Sequence, residues 1–154
     1  MSSSTKPNTD RRRKESVRTW LRLLSCEVVI ERQLRMLLRE NFSITLPQFD
    51  VLSELERAGA PLSMSQLSRE LMVSNGNVTG VVDRLEKSGY AERIRAEHDR
   101  RIQYIGLTPW GLKKFNGMAS LHATWLEDLL ADLSLNEMSA LQKLLLKSRV
   151  SAAS

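Results

Sequence analysis

The residue types best suited to chemistry in this sequence of 154 residues are small polar side chains and glycines that alternate with valines after Ser74. Wound as a helix at about 100° per residue, the stretch turns its three valines and Leu85 inward and a small polar face outward. Amide and hydroxyl groups reach base edges, and glycines allow a close backbone approach, so we predict a helix that enters the major groove of DNA. The candidate contacts are Ser74, Asn75, Gly76, Asn77, Thr79, Gly80, Arg84 and Lys87.

The alternative for this stretch is an ordinary helix that faces solvent. Gly76 and Gly80 both lie on the outward face, and each costs about 1 kcal/mol relative to alanine in a helix interior. In a helix that faces only solvent nothing offsets this cost, whereas in a helix that lies against a nucleic acid the glycines allow a closer approach of the backbone. The glycines therefore favour insertion into a groove.

A shorter helix must precede this one and hold it in place. Ser63 and Gln66 have the spacing of a capping box, in which each side chain bonds to the backbone of the other residue at a helix start. Leu67 and Leu71 then fall on one face, and residues 72–73 make the turn into the second helix, for which Ser74 is a good N-cap. The order of elements predicts a helix-turn-helix.

Two predicted strands follow the second helix, which Gly89 ends. They run over residues 91–95 and 102–107, and a charged loop joins them into a hairpin. Such a hairpin, or wing, can lay an arginine in the adjoining minor groove, where Asp99 would steer Arg101 by a charge-assisted hydrogen bond. The alternative is a solvated loop with an incidental ion pair. The wing's candidate DNA contacts are Asp99, Arg100 and Arg101.

These pieces together resemble the winged helix-turn-helix of the MarR family of bacterial regulators. The resemblance runs from about Ser16 to Arg149, and its most diagnostic parts are the Asp-x-Arg of the wing and the Leu-Thr-x-x-Gly after it. The matching segments are Ser74-Asn75-Gly76-Asn77-Val78-Thr79, Asp83-Arg84-Leu85-Glu86-Lys87-Ser88-Gly89-Tyr90, Asp99-Arg100-Arg101 and Leu107-Thr108-Pro109-Trp110-Gly111.

The resemblance implies a homodimer that binds double-stranded operator DNA, usually as a repressor. A small molecule releases such a repressor by entering a cleft between the dimerisation and DNA-binding regions. It matches Asp99 and Arg101 to the family's wing pair, and residues 74–84 to its recognition helix. Within the family, the sequence most resembles regulators of aromatic-acid catabolism, so the expected effector is an aromatic acid or its CoA thioester. The implied fold is mainly α with a small β-hairpin wing.

The outer parts of the chain complete one predicted domain over residues 16–150, with the winged core at 45–107. Residues 1–15 read as a disordered basic leader, whose arginines form either a phosphate-binding arm or a solvated tail. Apolar residues at helical spacing predict long helices over residues 16–41 and 108–149, the second with another capping box at Ser134 and Glu137. Thr45 and Gln48 have the same spacing and predict a further helix start between these regions. We expect the long helices to form a two-fold dimer, and the alternative is that they bury their apolar faces only within their own chain. The buried candidates of the first helix are Val17, Trp20, Leu21, Leu24, Val28, Leu34, Leu37 and Leu38.

Composition agrees with this interpretation. The net charge is +5, most of it in the first twenty residues, whereas seven basic residues nearly balance six acidic ones between Arg69 and Arg101. DNA contact must therefore depend on where the charges point. The single cysteine fits a reducing compartment, and no apolar run is long enough to span a membrane. The basic start also lacks the apolar region of a signal peptide, so we expect a cytoplasmic protein.

Two features leave alternatives open. Cys26 lies within the first predicted helix and is expected to be a buried structural thiol; the alternative is a redox-sensing repressor, since some MarR-like proteins sense peroxides through a cysteine in this helix. Arg32, Arg35 and Arg39 recur at helical spacing and are the candidate effector ligands; the alternative is a solvated basic stripe paired with Glu31 and Glu40.

Catalysis is not expected. One cysteine, two distant histidines and no glycine-rich phosphate loop or metal-ligand cluster leave no combination of nucleophile, base and orienting group, and no cofactor or metal is predicted. The remaining alternative is a winged-helix module that binds another protein rather than DNA. That module would not need Asp99 and Arg101 beside a glycine-faced helix.

Overall fold

The chain folds mainly into helices, with one small antiparallel sheet. The computed structural model describes residues 6–71 and 75–154, so Met72, Val73 and the predicted N-cap Ser74 lie outside the described residues. The fold class is confirmed: mainly α, with a β-hairpin wing. The elements are α1 (Lys6–Phe42), α2 (Leu46–Ala58), β1 (Leu62–Ser63), α3 (Met64–Leu71), α4 (Asn75–Lys87), β2 (Ala91–Arg95), β3 (Gln103–Leu107), α5 (Pro109–Leu129) and α6 (Leu135–Ala153).

Helix α1 begins ten residues before the predicted start at Ser16. The prediction of a disordered leader is therefore wrong from Lys6 onward. Local side-chain contacts explain the difference, because Lys14 pairs with Asp10 four residues earlier and Arg18 pairs with Glu15 three residues earlier. Such pairs each contribute a few tenths of a kcal/mol to a helix, and a continuous helix supplies the nucleus that an isolated leader would lack.

The predicted capping boxes are present. At the start of α2, Thr45 Oγ1 accepts from the Gln48 amide while the Gln48 side chain accepts from the Thr45 amide. Ser63 and Gln66 do the same at α3, and Ser134 and Glu137 do so at α6. Each box satisfies two backbone donors that a helix start leaves unpaired, so these three starts are set by residues within one turn of each other.

The sheet contains one strand that the sequence did not indicate. Strand β3 is central, with β2 antiparallel on one side and the two-residue β1 antiparallel on the other. Leu62 pairs with Ile105, and Ile105 is fully buried. Strand β1 therefore ties the start of α3 to the root of the wing.

The wing joins α5 through a tight junction at Tyr90 and Gly111. Thr108 Oγ1 donates to the Gly89 carbonyl at 2.6 Å and accepts from the Gly111 amide at 2.9 Å, and the Thr108 amide donates to the Tyr90 carbonyl at 3.1 Å. A Cβ on Gly111 would lie 2.0 Å from the Tyr90 carbonyl oxygen. Only glycine fits at this position.

The structure divides into two compact units, one ending at Met118 and the other running from Ala119 to Ser154. In the first unit, a core of aliphatic and aromatic side chains holds the winged region together. Phe49 and Phe115 contact there, with ring centroids 5.4 Å apart. The other most deeply buried members are Leu38, Val51, Leu52, Leu67, Val78, Val82, Leu85, Ile105 and Met118.

The apolar face of α1 is buried only near its end. Leu34 and Leu38 are buried as predicted, and Leu37 is half-buried, but the five other candidates are exposed, which corrects the prediction for a single chain. In the second unit, no residue of α6 is buried, and Leu144 and Val150 are each more than 60% exposed. Helical periodicity identified which face is apolar, but not what covers it. The exposed candidates of α1 are Val17, Trp20, Leu21, Leu24 and Val28. Among the described residues, no helix is long and apolar enough to cross a membrane.

Candidate nucleic-acid interface

Helix α4 presents the face that the sequence predicts. Its inner side is closed by Val78, Val82 and Leu85, each at most 1% exposed, while Val81 is half-buried. Gly80 has open space around the position of a Cβ, so the helix surface is flat there. Asn75 and Gly76 form part of the first turn of the helix. The exposed side chains on the outer face are Asn77, Thr79, Asp83, Arg84 and Lys87.

Two carboxylates on this helix are held by an arginine of the wing. Arg93 of β2 donates from one terminal nitrogen to Glu86 Oε1 at 3.1 Å and from the other to Asp83 Oδ1. The Arg93 amide also donates to Glu86 Oε2 at 3.1 Å. The hydrogen bond that Arg93 donates to Asp83, together with the negative charges of Asp83 and Glu86, raises the pKa of Arg93 above its usual value. The guanidinium offsets one of the two negative charges, and its hydrogen bonds to both carboxylates fix the angle between α4 and β2.

Sequence reasoning missed Arg93. The guanidinium lies ten residues from Asp83 and seven from Glu86, across the turn at Gly89. No helical or strand periodicity joins residues that are separated by a turn. The one available signal was composition: acidic residues on a helix predicted to approach DNA would repel its phosphates unless a cation lay nearby.

At the wing tip, Asp99 holds the backbone amide and the Nε of Arg101. Asp99 Oδ1 accepts from the Arg101 amide at 3.0 Å and from Arg101 Nε at 3.2 Å. The Asp99 carbonyl accepts from the Ile102 amide at 3.1 Å, which closes the turn. The Arg101 side chain is 92% exposed, so its two terminal nitrogens remain available to a ligand. Arg100, His98 and Glu97 lie beside it in the same loop.

The candidate effector arginines line a surface cavity on α1. Arg32, Arg35 and Arg39 lie along a cavity of about 530 Å³ together with Glu31 and Glu40. Arg35 Nε donates to Glu31 Oε1 at 3.0 Å, which matches the predicted alternative of a paired stripe for that arginine. Arg32 and Arg39 form no ion pair within residues 6–71 and 75–154.

A carboxylate pair continues the same stretch of α1. A hydrogen bond with Glu31 raises the pKa of Glu27, and that bond, together with the one from Arg35, lowers the pKa of Glu31. One proton is therefore retained on Glu27 to a higher pH than usual, while Glu31 stays ionised beside Arg35. The arginine surface of α1 is consequently less positive than its three guanidinium groups imply.

A second cavity, of about 460 Å³, lies between α2, α3 and α4. Pro47, Val51, Leu71 and Val81 give it apolar walls, and Asp50 and Arg84 supply charged groups of opposite sign. Sequence reasoning did not identify this cavity, because its walls come from three helices. Arg84 lies on both the outer face of α4 and this cavity, so a molecule bound in the cavity would contact an arginine that is also a predicted DNA contact.

Cys26 is exposed on α1, which corrects the expectation of a buried thiol. The core in the first unit reaches α1 only around Leu34 and Leu38, two turns or more beyond the cysteine. Within the described residues, no group of three or more histidine, cysteine or carboxylate side chains could hold a metal ion.

Comparison with known proteins agrees with this geometry. A model of the MarR family matches residues 42–102, which span α2 to the wing. The HTH-type transcriptional regulator PecS of Dickeya dadantii is 36% identical over 107 residues, which cover 68% of this chain and 64% of PecS. The crystal structure of apo MarR from E. coli superposes with a TM-score of 0.71 at 28% identity, over 82% of this chain and 92% of that one. The chain belongs to the MarR family.

Other MarR-family relatives are similar in sequence or in fold. The transcriptional activatory protein BadR of Rhodopseudomonas palustris is 31% identical over 111 residues, covering 70% of this chain and 63% of BadR. A mutant MarR from E. coli, solved in complex with operator DNA, has a TM-score of 0.75 at 26% identity and covers 87% of this chain. The chain thus spans less than two thirds of the length of PecS and of BadR. PecS is named as a transcriptional regulator and BadR as a transcriptional activatory protein, which agrees with the regulator predicted from the sequence.

Proposed function

We propose that this protein is a sequence-specific, ligand-responsive DNA-binding regulator, with α4 as its recognition helix and the wing as its minor-groove contact. The observation that carries the proposal is the charge arrangement on α4. Arg93 forms ion pairs with Asp83 and Glu86, whereas Arg84 and Lys87 form no ion pair within the described part of the chain. Three cations against two carboxylates give this face a net positive charge, and Arg84 and Lys87 remain available to DNA.

The proposed contacts divide into two kinds. Asn77 and Thr79, near the start of the helix, carry the amide and hydroxyl groups that read base edges, and Gly80 allows the backbone to approach. Arg84 and Lys87, further along, carry the charge that phosphates attract. Arg101 supplies the minor-groove contact, and Asp99 orients its side chain by accepting a hydrogen bond from Nε. Ser74, Asn75, Gly76 and Arg100 complete the proposed set.

The same proposal includes a homodimer. The apolar face of α1 is exposed over three turns from Val17 to Val28, and α6 exposes leucines along its length. Exposed large apolar side chains in contiguous stripes mark an interface rather than a solvent-facing surface. A two-fold dimer places its recognition helices about 34 Å apart and binds a near-palindromic operator. Sedimentation as a monomer at working concentration, or a footprint without inverted symmetry, would contradict this part.

Substitution of the wing arginine tests DNA binding most directly. Arg101→Ala should weaken operator binding and reduce the slope of log affinity against log salt by about one, because one cationic contact is lost. Arg57→Ala is the matched control, since Arg57 lies in the last turn of α2, outside the proposed DNA contacts, and pairs with Glu54. Fluorescence anisotropy with duplexes from the neighbouring genomic sequence gives both quantities. Unchanged affinity in Arg101→Ala would favour the protein-interaction module instead.

We further propose that the regulator is a repressor, released when an aromatic acid or its CoA thioester binds. The α1 cavity with Arg32 and Arg39 supports an anionic effector, because these guanidinium groups have no carboxylate partner among the described residues. The α2–α4 cavity supports an aromatic body, because its walls are mainly apolar and Arg84 can bind a carboxylate. The direction of regulation needs its own test, since the relative BadR is named as an activatory protein.

Thermal-shift measurements identify the effector class. An aromatic acid or aryl-CoA that binds the folded state raises the melting temperature in proportion to the logarithm of its concentration. Arg32→Ala with Arg39→Ala should abolish the shift if the α1 cavity binds the acid, and Arg84→Ala should abolish it if the α2–α4 cavity does. A panel of such acids and esters that leaves the melting temperature unchanged would exclude this effector class.

A further inference from the structure

A third cavity lies behind the wing, away from the outer face of α4. It has a volume of about 410 Å³, within the range of small-molecule sites. The end of α2, strands β2 and β3 and the first turn of α5 enclose it. Its apolar walls are Leu55, Pro61, Ile94, Leu107 and Leu112. Leu55 is buried, whereas Ile94 and Leu112 are 40% and 42% exposed at its rim.

The only ionisable side chains that line this cavity are two glutamates. Glu56 comes from α2 and Glu92 from β2. Neither forms an ion pair with another side chain within residues 6–71 and 75–154, and the remaining lining residues have no side-chain donor. Two cations next to these glutamates in sequence are engaged elsewhere: Arg57 pairs with Glu54, and Arg93 pairs with Asp83 and Glu86.

This composition selects one ligand chemistry. An anion would meet two carboxylates and no donor side chain, so its desolvation would be uncompensated. A neutral polar molecule would find acceptors at the rim but apolar walls elsewhere. A cation with an apolar body satisfies both parts, because the walls bury its body while the carboxylates attract its charge.

We propose that this cavity, defined by Glu56 and Glu92, is a binding site for an organic cation with a compact apolar body, such as a quaternary ammonium compound. The site is separate from the α1 and α2–α4 cavities and has the opposite charge preference from the effector proposed for them. It also joins α2 to both strands of the wing, so its occupant contacts the element that carries Arg101.

The test is a two-dimensional NMR titration of the full-length, 15N-labelled protein with benzyltrimethylammonium. Saturable shifts are expected at the backbone amides of Gly59, Ile94, Gly106 and Leu112. Phenylacetate, an anion with a similar ring, should leave these amides unchanged, and tetramethylammonium, which lacks the ring, should bind more weakly. Shifts confined to other amides, equal shifts with phenylacetate, or equal affinity for tetramethylammonium would overturn the proposal.

Paired substitutions test the carboxylates. Glu56→Gln with Glu92→Gln keeps the shape of both side chains and should weaken benzyltrimethylammonium binding by about tenfold. The matched control is Glu70→Gln with Glu127→Gln, two glutamates outside the cavity, which should bind as the natural protein does. Unchanged affinity in the first pair, or an equal loss in the control pair, would refute the role of the carboxylates. The comparison of cation and anion on the unmutated protein tests the proposal even if a variant folds poorly.

Discussion

Gly111 offers a test of the fold that runs against ordinary helix propensity. In most helices, replacing glycine by alanine stabilises the protein by up to about 1 kcal/mol. At Gly111, the new Cβ would lie 2.0 Å from the Tyr90 carbonyl oxygen and 2.7 Å from its carbon. That carbonyl is backbone and accepts from the Thr108 amide, so it cannot move away without breaking the junction between the wing and α5.

The size of the effect follows from the contacts that must break. The junction contains hydrogen bonds from the Thr108 amide, from Thr108 Oγ1 and from the Gly111 amide, and each contributes about 1 kcal/mol net. Loss of the three, partly offset by the better helix propensity of alanine, gives Gly111→Ala a free energy of unfolding lower by about 2 kcal/mol. Urea denaturation followed by circular dichroism measures this difference.

Gly117→Ala is the matched control for Gly111→Ala. Gly117 lies in the same helix, is exposed, and has no atom within 4 Å of the position of a Cβ. Its substitution should raise the free energy of unfolding by up to about 1 kcal/mol. If Gly111→Ala proved as stable as Gly117→Ala, the close approach of Tyr90 to α5 would be refuted, and with it the explanation of the glycine in the Leu-Thr-x-x-Gly motif.

Four further outcomes are expected. Gly80→Ala should stabilise the fold by about 1 kcal/mol yet weaken operator binding, because the added methyl group keeps the helix backbone from the groove; tighter or equal binding would count against close approach. Arg93→Ala should weaken operator binding by at least about tenfold, because Asp83 and Glu86 lose their counter-charge. Arg93→Lys should restore part of the affinity, whereas an Arg93→Ala variant that binds as well as the natural protein would exclude this role of Arg93. Burial lowers the pKa of His122, so the neutral imidazole should contribute fully to the free energy of unfolding above pH 6.5 and less as the pH falls towards the folded-state pKa. In denaturation series between about pH 8 and about pH 5, His122→Gln should lose stability less steeply than the natural protein. Cys26 should react with a thiol reagent in the native protein, and peroxide should leave operator binding unchanged, whereas a loss that Cys26→Ser prevents would support the redox alternative.

Sequence patterns predicted those features whose determinants lie within one turn of each other. Thr45 and Gln48 form a capping box because their side chains are three residues apart, and Asp99 reaches Arg101 because only one residue separates them. The inward valines of α4 follow from a period of 3.6 residues. Local chemistry of this kind does not depend on the rest of the fold, so the order of neighbouring residues is enough to predict it.

Features that depend on distant residues could not be predicted in the same way. Strand β1 has two residues, too few for any periodicity, and it exists because β3 offers an edge to Leu62. Arg93 meets α4 only after the chain has turned at Gly89. The apolar stripe of α1 was recognised, yet its exposure at Trp20 could not be, because a pattern does not specify whether its partner lies in the same chain.

The distribution of charge explains why DNA contact has to be argued from geometry. Between Lys6 and Arg22 lie seven basic and two acidic residues, a surplus equal to the net charge of the whole chain, so the remaining residues are neutral in sum. At physiological salt, charges more than about 8 Å apart are largely screened, so a surplus on the first turns of α1 does little for a face formed by α4. What matters there is that Arg93 pairs with two carboxylates of α4 and offsets one of their two negative charges. The proposed affinity of this face for DNA therefore depends on a side chain that need not touch DNA at all.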